Sequence, residues 1–442
     1  MFDLIIKYIL IFLRDPFSPE VWELIAFFIP FVIFLEMPVY AFILSGIIKY
    51  YLRKNERIPY RNAFFPSVSC IITCYSEGET AARTVRCLAE QIYPGFIEII
   101  PVVDGASVNI ETYNSVMNMA GFVNSIPGRQ LIVMPKWHRG GRVSTLNAGL
   151  AVASGSIVMA LDGDTSFDND MVEKATRHFE NENVVGVSGA LRVLNAGKNL
   201  LTRIQALEYM LSIHAAKTGL SEFNVVNNIS GAFGVFRKSF LNIVSGWNTG
   251  TAEDLDMTLR IKNYFGRYPD LKIVFDPEAI GHTEAPDTIK GLFNQRLRWD
   301  GDLYYLYFRK HSKTFNPRLM GISNFIVQVW TGLMFQIFTP LLIIAYTSWI
   351  FFTLSIQKIA FIIVLVYLFY LFISIVFYFA FVLLISERPW EDLKLLPALP
   401  LFGLYLFFTR FVSGFAVIWE ITAKSHLDSS MAPWWVLKKS KF

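Results

Sequence analysis

The sequence predicts an α/β domain with a parallel sheet, placed between apolar helices that are long enough to span a membrane. Of the 442 residues, 53% are hydrophobic and only 17% are charged, whereas soluble chains carry about 25% charged residues. Apolar surface must therefore face something other than water. Between about residue 53 and residue 311 the composition becomes ordinary, and short β-branched runs alternate with helix-compatible segments.

Four segments are long and apolar enough for a transmembrane helix, which needs about 20 mostly apolar residues. They are residues 26–51, 325–352, 359–385 and 395–421. Residues 1–13 are apolar but short and contain Asp3 and Lys7, so we expect an interfacial helix there and not a signal peptide. The expected organisation is an N-terminal membrane segment (1–61), a cytosolic domain (62–311) and C-terminal interfacial and transmembrane helices with a basic tail (312–442).

Basic residues predict the side of the membrane on which the domain lies. The first span is followed closely by Lys49, Arg53, Lys54, Arg57 and Arg61. Such a cluster favours the cytoplasmic side, which predicts a multi-pass protein of the cell membrane with its domain in the cytoplasm. Three later spans would leave the C-terminal tail outside, whereas its lysines at positions 438, 439 and 441 favour the inside. Both arrangements of the tail stay open.

Two ionisable residues lie inside the predicted spans. Glu36 stands between Pro30 and Pro38 in the first span, and Arg410 lies within the last. A charge in hydrocarbon is costly and usually faces a polar cavity or a partner. The functional interpretation is the lining of a hydrophilic channel, and the structural alternative is an ion pair between helices or a snorkelling side chain.

Composition also excludes several classes of protein. Disorder, a collagen-like fibre and a disulfide scaffold do not fit these figures, and the 3 cysteines suit small buried residues in a reducing compartment. A net charge of +4 does not indicate nucleic-acid binding. There is no Gly-x-Gly-x-x-Gly or Walker sequence for a dinucleotide or ATP, no zinc-type Cys/His spacing and no Gly-x-Ser-x-Gly elbow.

Acidic residues follow the three strand-like runs of the domain. The runs are residues 68–73, 97–103 and 157–161, and the helix-compatible segments are residues 79–91, 109–120 and 144–153. The loops after the runs contain Glu77, Asp104, and Asp162 with Asp164. One such residue is usually a turn or cap residue, but the carboxyl ends of parallel strands form the ligand crevice of an open sheet. Three in succession favour a functional site.

Asp162-Gly163-Asp164 can hold a hard divalent cation, which in turn binds diphosphate oxygens. An Asp-x-Asp pair alone is common and weak. Upstream, Lys136 and the run Arg139 to Arg142, which contains two glycines, would suit a phosphate, or would form a solvated basic turn.

Two further motifs lie downstream. Asp254, next to Glu253, offers a carboxylate that could take a proton from an attacking hydroxyl. Gln295-Arg296-Leu297-Arg298-Trp299 lies in an aromatic and basic stretch, residues 293–310, which predicts an amphipathic helix on the membrane surface. A membrane anchor and a catalytic role are compatible there.

In this order the motifs resemble the processive family-2 glycosyltransferases of membranes, the cellulose, hyaluronan, chitin and poly-N-acetylglucosamine synthases. The resemblance covers residues 67 to about 311, and Gln-Arg-Leu-Arg-Trp matches the Q-(Q/R)-x-R-W motif of that family. The small size and the Glu284-Ala285-Pro286 stretch are most similar to the bacterial poly-N-acetylglucosamine branch. The resemblance implies a GT-A-type nucleotide-sugar-binding domain inserted between transmembrane helices.

The resemblance also implies roles for individual residues. Tyr75 and Glu77 would contact the nucleotide base or ribose and Asp104 the uracil ring, while Asp162 and Asp164 would hold the diphosphate with Mg²⁺ or Mn²⁺. Asp254 would be the general base, with Glu253 orienting nearby groups. Diphosphate and acceptor would be bound by Gln295, Arg296, Arg298 and Trp299, and the acceptor sugar would be bordered by Ser230, Gly231, Ala232 and Phe233.

Three positions depart from the family pattern or extend it. Ser76 stands where the family usually has Asn, and Arg142 stands in the glycine-rich segment in place of the usual Lys, as a donor-binding candidate. His282 could be a third metal ligand, although a lone histidine is more often a hydrogen-bonded structural residue.

The expected function is an inverting, processive transferase that polymerises a UDP-sugar, UDP-N-acetylglucosamine by preference, into a β-linked exopolysaccharide and extrudes it. The expected partners are the UDP-sugar, the growing polysaccharide, the lipid bilayer and accessory export subunits, without nucleic acid. The basic tail, residues 433–441, is a candidate lid. The alternatives are a non-processive transferase acting on a lipid-linked acceptor and, in another class, a non-catalytic scaffold of an export complex.

Overall fold

The computed structural model describes residues 32–56, 64–248 and 252–424, together with Ile11, Arg14, Asp15, Ser18 and Pro19. Several predictions fall outside the described residues. They concern the interfacial helix at residues 1–13 (apart from Ile11), the start of the first span, Arg57, Arg61 and the candidate lid at residues 433–441.

Nine strands form one mixed sheet within the described residues. They are β1 (Val68–Cys74), β2 (Ile97–Asp104), β3 (Arg129–Leu131), β4 (Met134–Lys136), β5 (Ile157–Asp162), β6 (Ser166–Phe167), β7 (Val184–Val193), β8 (Phe233–Arg237) and β9 (Lys272–Thr283). Their spatial order is β3-β2-β1-β5-β8-β7-β9-β6, and β4 pairs with β2. The three predicted strands are confirmed as parallel neighbours, with Val68 beside Ile97 on one side and Ile157 on the other.

Every strand pair is parallel in the half that the sequence predicted, whereas the other half combines the parallel pair β7–β9 with antiparallel pairs. β8 pairs antiparallel with β5 and with β7, so the second half runs in mixed directions. Both faces are covered by apolar packing, because Ile72 and its neighbours Cys70 and Cys74 belong to one buried cluster and Ile71 belongs to another. The carboxyl ends of β1, β2 and β5 meet at one edge, which is where the candidate site lies.

One long apolar helix precedes the sheet in the chain, and the helices of the domain lie between its strands along the sequence. They are α1 (Met37–Glu56), α2 (Glu79–Ala89), α3 (Ile110–Met117), α4 (Ala120–Asn124), α5 (Gly141–Val152), α6 (Met171–Thr176), α7 (Leu200–Glu208), α8 (Ala216–Ser221), α9 (Lys238–Ile243) and α10 (Glu253–Lys262). A π-helical turn, Val32–Glu36, precedes α1, and another, Tyr209–Ala215, joins α7 to α8. α7 begins with a capping box, in which the side chains of Asn199 and Thr202 satisfy each other's backbone amides.

The C-terminal helices are α11 (Ile289–Tyr304), α12 (Pro317–Met320), α13 (Ile322–Gln328), α14 (Thr339–Thr353), α15 (Ile356–Leu384), α16 (Pro389–Leu393) and α17 (Leu399–Ala423). Two π-helical segments, Tyr305–Lys310 and Val329–Phe338, continue α11 and α13. Together with α1, 4 helical stretches of the described chain are long and apolar enough to cross a membrane: Val32–Lys54, Ile322–Thr353, Ile356–Leu384 and Pro389–Ala423. The predicted spans thus have helices at their positions.

The domain packs directly on these helices. α1 crosses α8 so closely that a Cβ on Gly46 would lie 2.1 Å from the carbonyl oxygen of Gly219. On the opposite side, Arg192 and Asp392 form an ion pair at 2.6 Å between β7 and α16. The site at the edge of the sheet is therefore held against the apolar helices.

The two ionisable residues of the spans both have partners on neighbouring helices. Glu36 Oε1 accepts a hydrogen bond of 2.7 Å from the Tyr370 hydroxyl. Arg410 donates from Nη1 to the carbonyl oxygen of Phe335 at 2.5 Å. Both contacts are hydrogen bonds between helices and neither is the ion pair given above as the alternative, so a hydrophilic channel lined by these residues stays a prediction.

Candidate active site

Asp162 ends β5 and Asp164 follows it across a glycine that no other residue could replace without a shift. A Cβ on Gly163 would lie 2.9 Å from the Thr73 carbonyl oxygen, which accepts a hydrogen bond of 3.1 Å from the Gly163 amide. Thr84 Oγ1 donates to the Gly163 carbonyl at 3.0 Å. Burial and the charge of Asp162 raise the pKa of Asp164 to about 6. The fold thus brings two carboxylates close together.

Arg142, near the beginning of α5, joins this pair to the other acidic motif. Its guanidinium contacts Asp162 Oδ1 through Nη1, donates from Nε to Glu253 Oε1 at 2.5 Å, and donates from Nη2 to the Gly231 carbonyl at 2.7 Å. Burial raises the pKa of Glu253, although Arg142 acts against it. The structure therefore places Arg142 on protein carboxylates, at a position where we predicted a donor-binding residue.

Asp254 is held in one orientation at the beginning of α10. Its Oδ2 accepts hydrogen bonds from Asn228 Nδ2 at 3.1 Å and from the Gly231 amide at 3.2 Å, and its Oδ1 accepts from the Leu255 amide at 2.7 Å. The residue before the helix, Ala252, has a left-handed backbone with φ +40°. Such strain in a residue other than glycine often marks a functional site.

The Gln-Arg-Leu-Arg-Trp motif lies on α11, whose first turn is capped by Thr288. Within the described residues the buried Oε1 of Gln295 has no hydrogen-bond partner. Arg298 is close enough to Asp162 and Glu253 for their charges to act on it. The Trp299 ring lies 6.5 Å from the Tyr209 ring, centroid to centroid. Gln295 therefore keeps unused hydrogen-bonding capacity, and Arg298 adds positive charge close to the carboxylates.

Arg296, from the same motif, has a different environment. Its Nη2 donates to Glu208 Oε2 at 2.5 Å, Tyr405 of α17 donates to the same carboxylate oxygen at 2.6 Å, and the Arg296 guanidinium lies 4.9 Å from the Trp299 ring centroid. The prediction that Arg296 binds acceptor or diphosphate is not supported. A buried guanidinium needs a carboxylate partner, and Arg296 has used its charge to fix α11 against α7 and α17.

Tyr75 and Glu77, which follow β1, form a further part of the candidate site. Glu77 Oε2 accepts from the backbone amides of Tyr75 at 2.6 Å and Ser76 at 3.0 Å, and burial raises the pKa of Glu77 to about 7. The Tyr75 ring faces the Arg139 guanidinium, 4.8 Å from the ring centroid. Stacking and hydrogen-bonding groups of this kind suit a nucleoside, so the predicted contacts stay open.

Asp104 already accepts hydrogen bonds on both carboxylate oxygens. Oδ1 accepts from Lys136 Nζ at 2.7 Å and from the Gly140 amide at 2.8 Å, and Oδ2 accepts from the Gly141 amide at 2.9 Å. The structure thus gives Asp104 the task of fixing the glycine turn that precedes Arg142, and its contact with a uracil ring remains a prediction.

Two predicted residues lie elsewhere. Phe233 is fully buried, with its ring centroid 5.4 Å from that of Phe167, so it belongs to the core and does not line the acceptor site, because strand alternation turns it inward. His282 Nε2 pairs with Asp168 Oδ1 at 2.9 Å, which is the structural role weighed against metal binding. Gly231 borders the acidic cluster through Asp254 and Arg142, and the amide of Ser230 donates to Ser188 Oγ at 3.1 Å.

The acidic pair of Asp162 and Asp164 could hold a metal ion. Among the residues that the structure describes, no group of three or more His, Cys, Asp or Glu side chains forms a metal cluster. Two close carboxylates nevertheless fit Mg²⁺ or Mn²⁺, which is commonly held by one or two carboxylates with substrate phosphates supplying further ligands. His282 adds nothing to this set.

Sequence reasoning missed three side chains at the site. Asn228 orients Asp254, and Thr73 Oγ1 accepts a hydrogen bond of 2.9 Å from Arg142 Nη1. Lys217 on α8 is buried, its pKa falls to about 8 because of that burial, and the charge of Asp254 acts on it. Only Lys217 left a signal in the sequence, as a lone charge in a run of small and apolar residues.

Two protein-family models and several known proteins match large parts of this chain. Residues 157–385 match the family described as glycosyl transferase family group 2, and residues 69–244 match glycosyl transferase family 2. Poly-β-1,6-N-acetyl-D-glucosamine synthase of Staphylococcus epidermidis is 32% identical over 237 residues, which are 52% of this chain and 53% of that protein. A probable glycosyltransferase of Bacillus subtilis, YdaM, is 28% identical over 281 residues, 62% of this chain and 64% of that one.

One solved structure aligns with most of this chain. The mannosyltransferase PcManGT from Pyrobaculum calidifontis, in complex with GDP-Man and Mn²⁺, aligns with a TM-score of 0.49 and 15% identity, over 87% of this chain and 99% of that chain. The chain spans about half the length of the first curated relatives that it matches, 53% in the case of the Staphylococcus epidermidis synthase.

Proposed function

Because the chain belongs to glycosyl transferase family group 2 and is a glycosyltransferase with a GT-A-type α/β core, we propose that it polymerises a UDP-sugar into a β-linked exopolysaccharide. We propose UDP-N-acetylglucosamine as the donor, on the strength of the similarity to poly-β-1,6-N-acetyl-D-glucosamine synthases. The observation that carries the proposal is the convergence of Asp162, Glu253 and Gly231 on Arg142, with Asp254 bound to the same Gly231.

Asp162 and Asp164 would hold Mg²⁺ or Mn²⁺, and the donor diphosphate would bind beside them. A divalent cation supplies charge neutralisation for the departing diphosphate. Arg298, which makes no hydrogen bond that the structure records, supplies further positive charge on the α11 side. Tyr75 and Glu77 would bind the base or ribose at the end of β1.

The acceptor hydroxyl would be activated by Asp254. As its oxygen bonds to the anomeric carbon, its proton passes to the Asp254 carboxylate, and the bond from that carbon to the diphosphate oxygen breaks to release UDP. Asn228 and the Gly231 amide keep Oδ2 fixed, which presents the base in one orientation. A single displacement with one base inverts the anomeric centre, so an α-linked donor gives a β-linked product.

In processive synthesis the growing polysaccharide would bind to α11, the helix that carries Gln295 and Trp299. This helix packs along α17, with Arg296 bound to Glu208 and near Tyr405, and Asp300 accepting a hydrogen bond of 2.6 Å from Ser413. A product made there leaves the site beside the apolar helices, through which we propose that it is extruded. The division at residues 61 and 311, the cytoplasmic side of the domain and the accessory export subunits belong to this proposal.

The proposal is tested by product analysis. The purified protein is incubated with each labelled UDP-sugar in turn, and the product is digested with linkage-specific glycosidases. We expect UDP release and a long product from UDP-N-acetylglucosamine that only a β-specific enzyme degrades. A single sugar added to a lipid fraction would support the non-processive alternative, and no UDP release from any donor would support the scaffold.

A further inference from the structure

The helix that begins with Glu253 and Asp254 ends in a lysine with no access to solvent. Lys262, the last residue of α10, is 0% exposed. Its Nζ donates to Gln328 Oε1 at 2.9 Å, and the structure records no carboxylate partner for it in the described residues. Burial lowers the pKa of Lys262 to about 7. A buried ammonium whose recorded partner is a neutral amide is expensive, so stability alone would favour an apolar residue here.

Gln328 also contacts the continuation of α11, the helix of the proposed acceptor-binding residues, which we call the acceptor helix. Its Nε2 donates to the Tyr307 hydroxyl at 2.7 Å, and both side chains are buried, with 1% and 3% of their surface exposed. Gln328 ends α13, inside the candidate span Ile322–Thr353. Tyr307 lies in the π-helical continuation of α11, which carries Gln295 and Trp299. One polar chain therefore connects three elements: the helix of Asp254, the helix of the acceptor motif and a membrane span.

The backbone at Tyr307 and next to Gln328 is π-helical. Tyr307 lies in the π-helical segment Tyr305–Lys310, and the span next to Gln328 continues as the π-helical segment Val329–Phe338. A Cβ on Gly332 of the latter would lie 2.2 Å from the Tyr307 hydroxyl oxygen, so the glycine makes room for it. π-Helical turns are rare and are frequent at functional sites. Two of them meet at the partners of Lys262.

Lys262 stands at the end of a helix, where a lysine can have a purely structural role. A lysine in the last turn of a helix interacts favourably with the helix dipole, but this benefit does not require burial or a partner on a membrane span. The ordinary attachment of α10 is already present at Asp256, whose Oδ1 accepts a hydrogen bond from His311 Nε2 at 2.8 Å and pairs with Lys310 Nζ at 2.7 Å. Lys262 adds a second link to the C-terminal region, with a neutral amide as its partner.

We propose that the chain Lys262–Gln328–Tyr307 sets the position of the Asp254 helix relative to the acceptor helix and the span, so that Lys262 is a positioning residue for glycosyl transfer. This inference rests on the proposed function, in which Asp254 is the base. In the proposed function the donor is held mainly at the ends of β1 and β5, which Lys262, Gln328 and Tyr307 do not contact. A fault in the chain should therefore slow transfer to the acceptor without weakening the hold on UDP, since small misplacements of a catalytic group reduce rates by up to about 100-fold.

The test measures the rate of polymer synthesis, the KM for the donor and the affinity for UDP in full-length protein. Lys262→Met should reduce kcat by about 10-fold to 100-fold with KM and UDP affinity within about 2-fold of wild type. Lys262→Gln, which can still donate to Gln328, should recover most of the rate. Tyr307→Phe, which removes a single oxygen at the other end of the chain, should reduce kcat as well. Lys313→Met alters an exposed lysine near the same interface and should have no effect.

Two results would overturn the inference. One is a Lys262→Met enzyme with wild-type kcat. The other is a parallel loss of UDP affinity and thermal stability in Lys262→Met with no recovery in Lys262→Gln, which would reveal a purely structural lysine. Should Lys262→Met fail to fold, Tyr307→Phe decides by the same criteria. An inactive wild-type protein would instead contradict the proposed function, so the two failures are distinguishable.

Discussion

Arg142 Nε donates a hydrogen bond of 2.5 Å to Glu253 Oε1, although the two residues are 111 positions apart in the chain. Through its other nitrogens the same guanidinium contacts Asp162 and Gly231. Three motifs that are separate in the sequence therefore share one cation. The electrostatic balance at the site depends on this residue, because without it Asp162 and Glu253 would repel each other in a partly buried cleft.

Replacing Arg142 should lower kcat/KM for the donor more than replacing an arginine far from the site. Arg142→Met is expected to lower kcat/KM for the donor by at least about 100-fold, as expected for loss of a charged partner in a buried network. Arg142→Lys should retain only part of the activity. The ammonium keeps the positive charge, but it cannot donate to three acceptors at once as the planar guanidinium does. Arg86→Met, at an exposed arginine of α2, is the control. Equal rates for Arg142→Met and wild type would refute the role.

Removing the metal should stop synthesis. Asp162 and Asp164 are the two carboxylates that suit Mg²⁺ or Mn²⁺, so EDTA is expected to abolish product formation, and added Mn²⁺ or Mg²⁺ should restore it. Binding of Mn²⁺, followed by electron paramagnetic resonance in the presence of UDP, should weaken in Asp164→Asn. Asp170→Asn, at a carboxylate 45% exposed, should bind as wild type does. Full activity in EDTA would remove both residues as ligands.

The acceptor assignment predicts a change in product length. Trp299→Ala removes a ring that packs near Tyr209 and Arg296, and we expect shorter chains and a lower polymer yield with unchanged affinity for UDP. The measurement is gel electrophoresis of labelled product alongside UDP titration. Trp390→Ala, at a tryptophan 79% exposed, serves for comparison. Polymer of wild-type length and yield from Trp299→Ala would show that the ring does not hold the acceptor.

Asp256 should matter for stability and not for chemistry. Burial alone would raise its pKa, but hydrogen bonds from His311 and Lys310 lower the pKa of Asp256 to about 2. A lowered carboxyl pKa stabilises the folded state above the unfolded value of about 3.9 and loses that effect as the pH falls toward 2. Asp256→Asn should therefore cost about 3 kcal/mol at pH 7, and less below pH 4.

Thermal unfolding in detergent at several pH values measures this difference. Asp270→Asn, at an exposed carboxylate of the domain, is the matched control and should unfold as wild type does. A difference between Asp256→Asn and wild type that grows as the solution becomes more acidic would contradict the account.

The strands and spans could be predicted because their signals are local. The runs around Ile71, Ile99 and Met159 are apolar, β-branched and bounded by polar loops, and they form β1, β2 and β5. The spans were visible from length and hydropathy. The antiparallel β8 was not predicted, because a strand of 5 residues, Phe233–Arg237, gives little periodicity, and its direction is decided by distant pairing.

The candidate site was predicted as separate motifs, without the contacts that connect them. Asp162, Asp164 and Asp254 were chosen as candidates from residue type and resemblance, and their roles stay predictions. Which motif residue faces the cleft depends on packing, and so Arg296 was assigned to the substrate although Glu208, far away in the sequence, neutralises it. Partners such as Asn228 escape detection because a single amide has no characteristic spacing.

The most direct measurement compares wild type with Asp254→Asn. Purified protein in detergent is supplied with UDP-N-acetylglucosamine and divalent cation, and both UDP release and the affinity for UDP are determined. Asparagine keeps the shape of aspartate but cannot take a proton, so the account predicts a loss of turnover of at least about 1,000-fold with UDP affinity within about 2-fold of wild type. Turnover by Asp254→Asn at the wild-type rate would show that the proton goes elsewhere and would contradict the account.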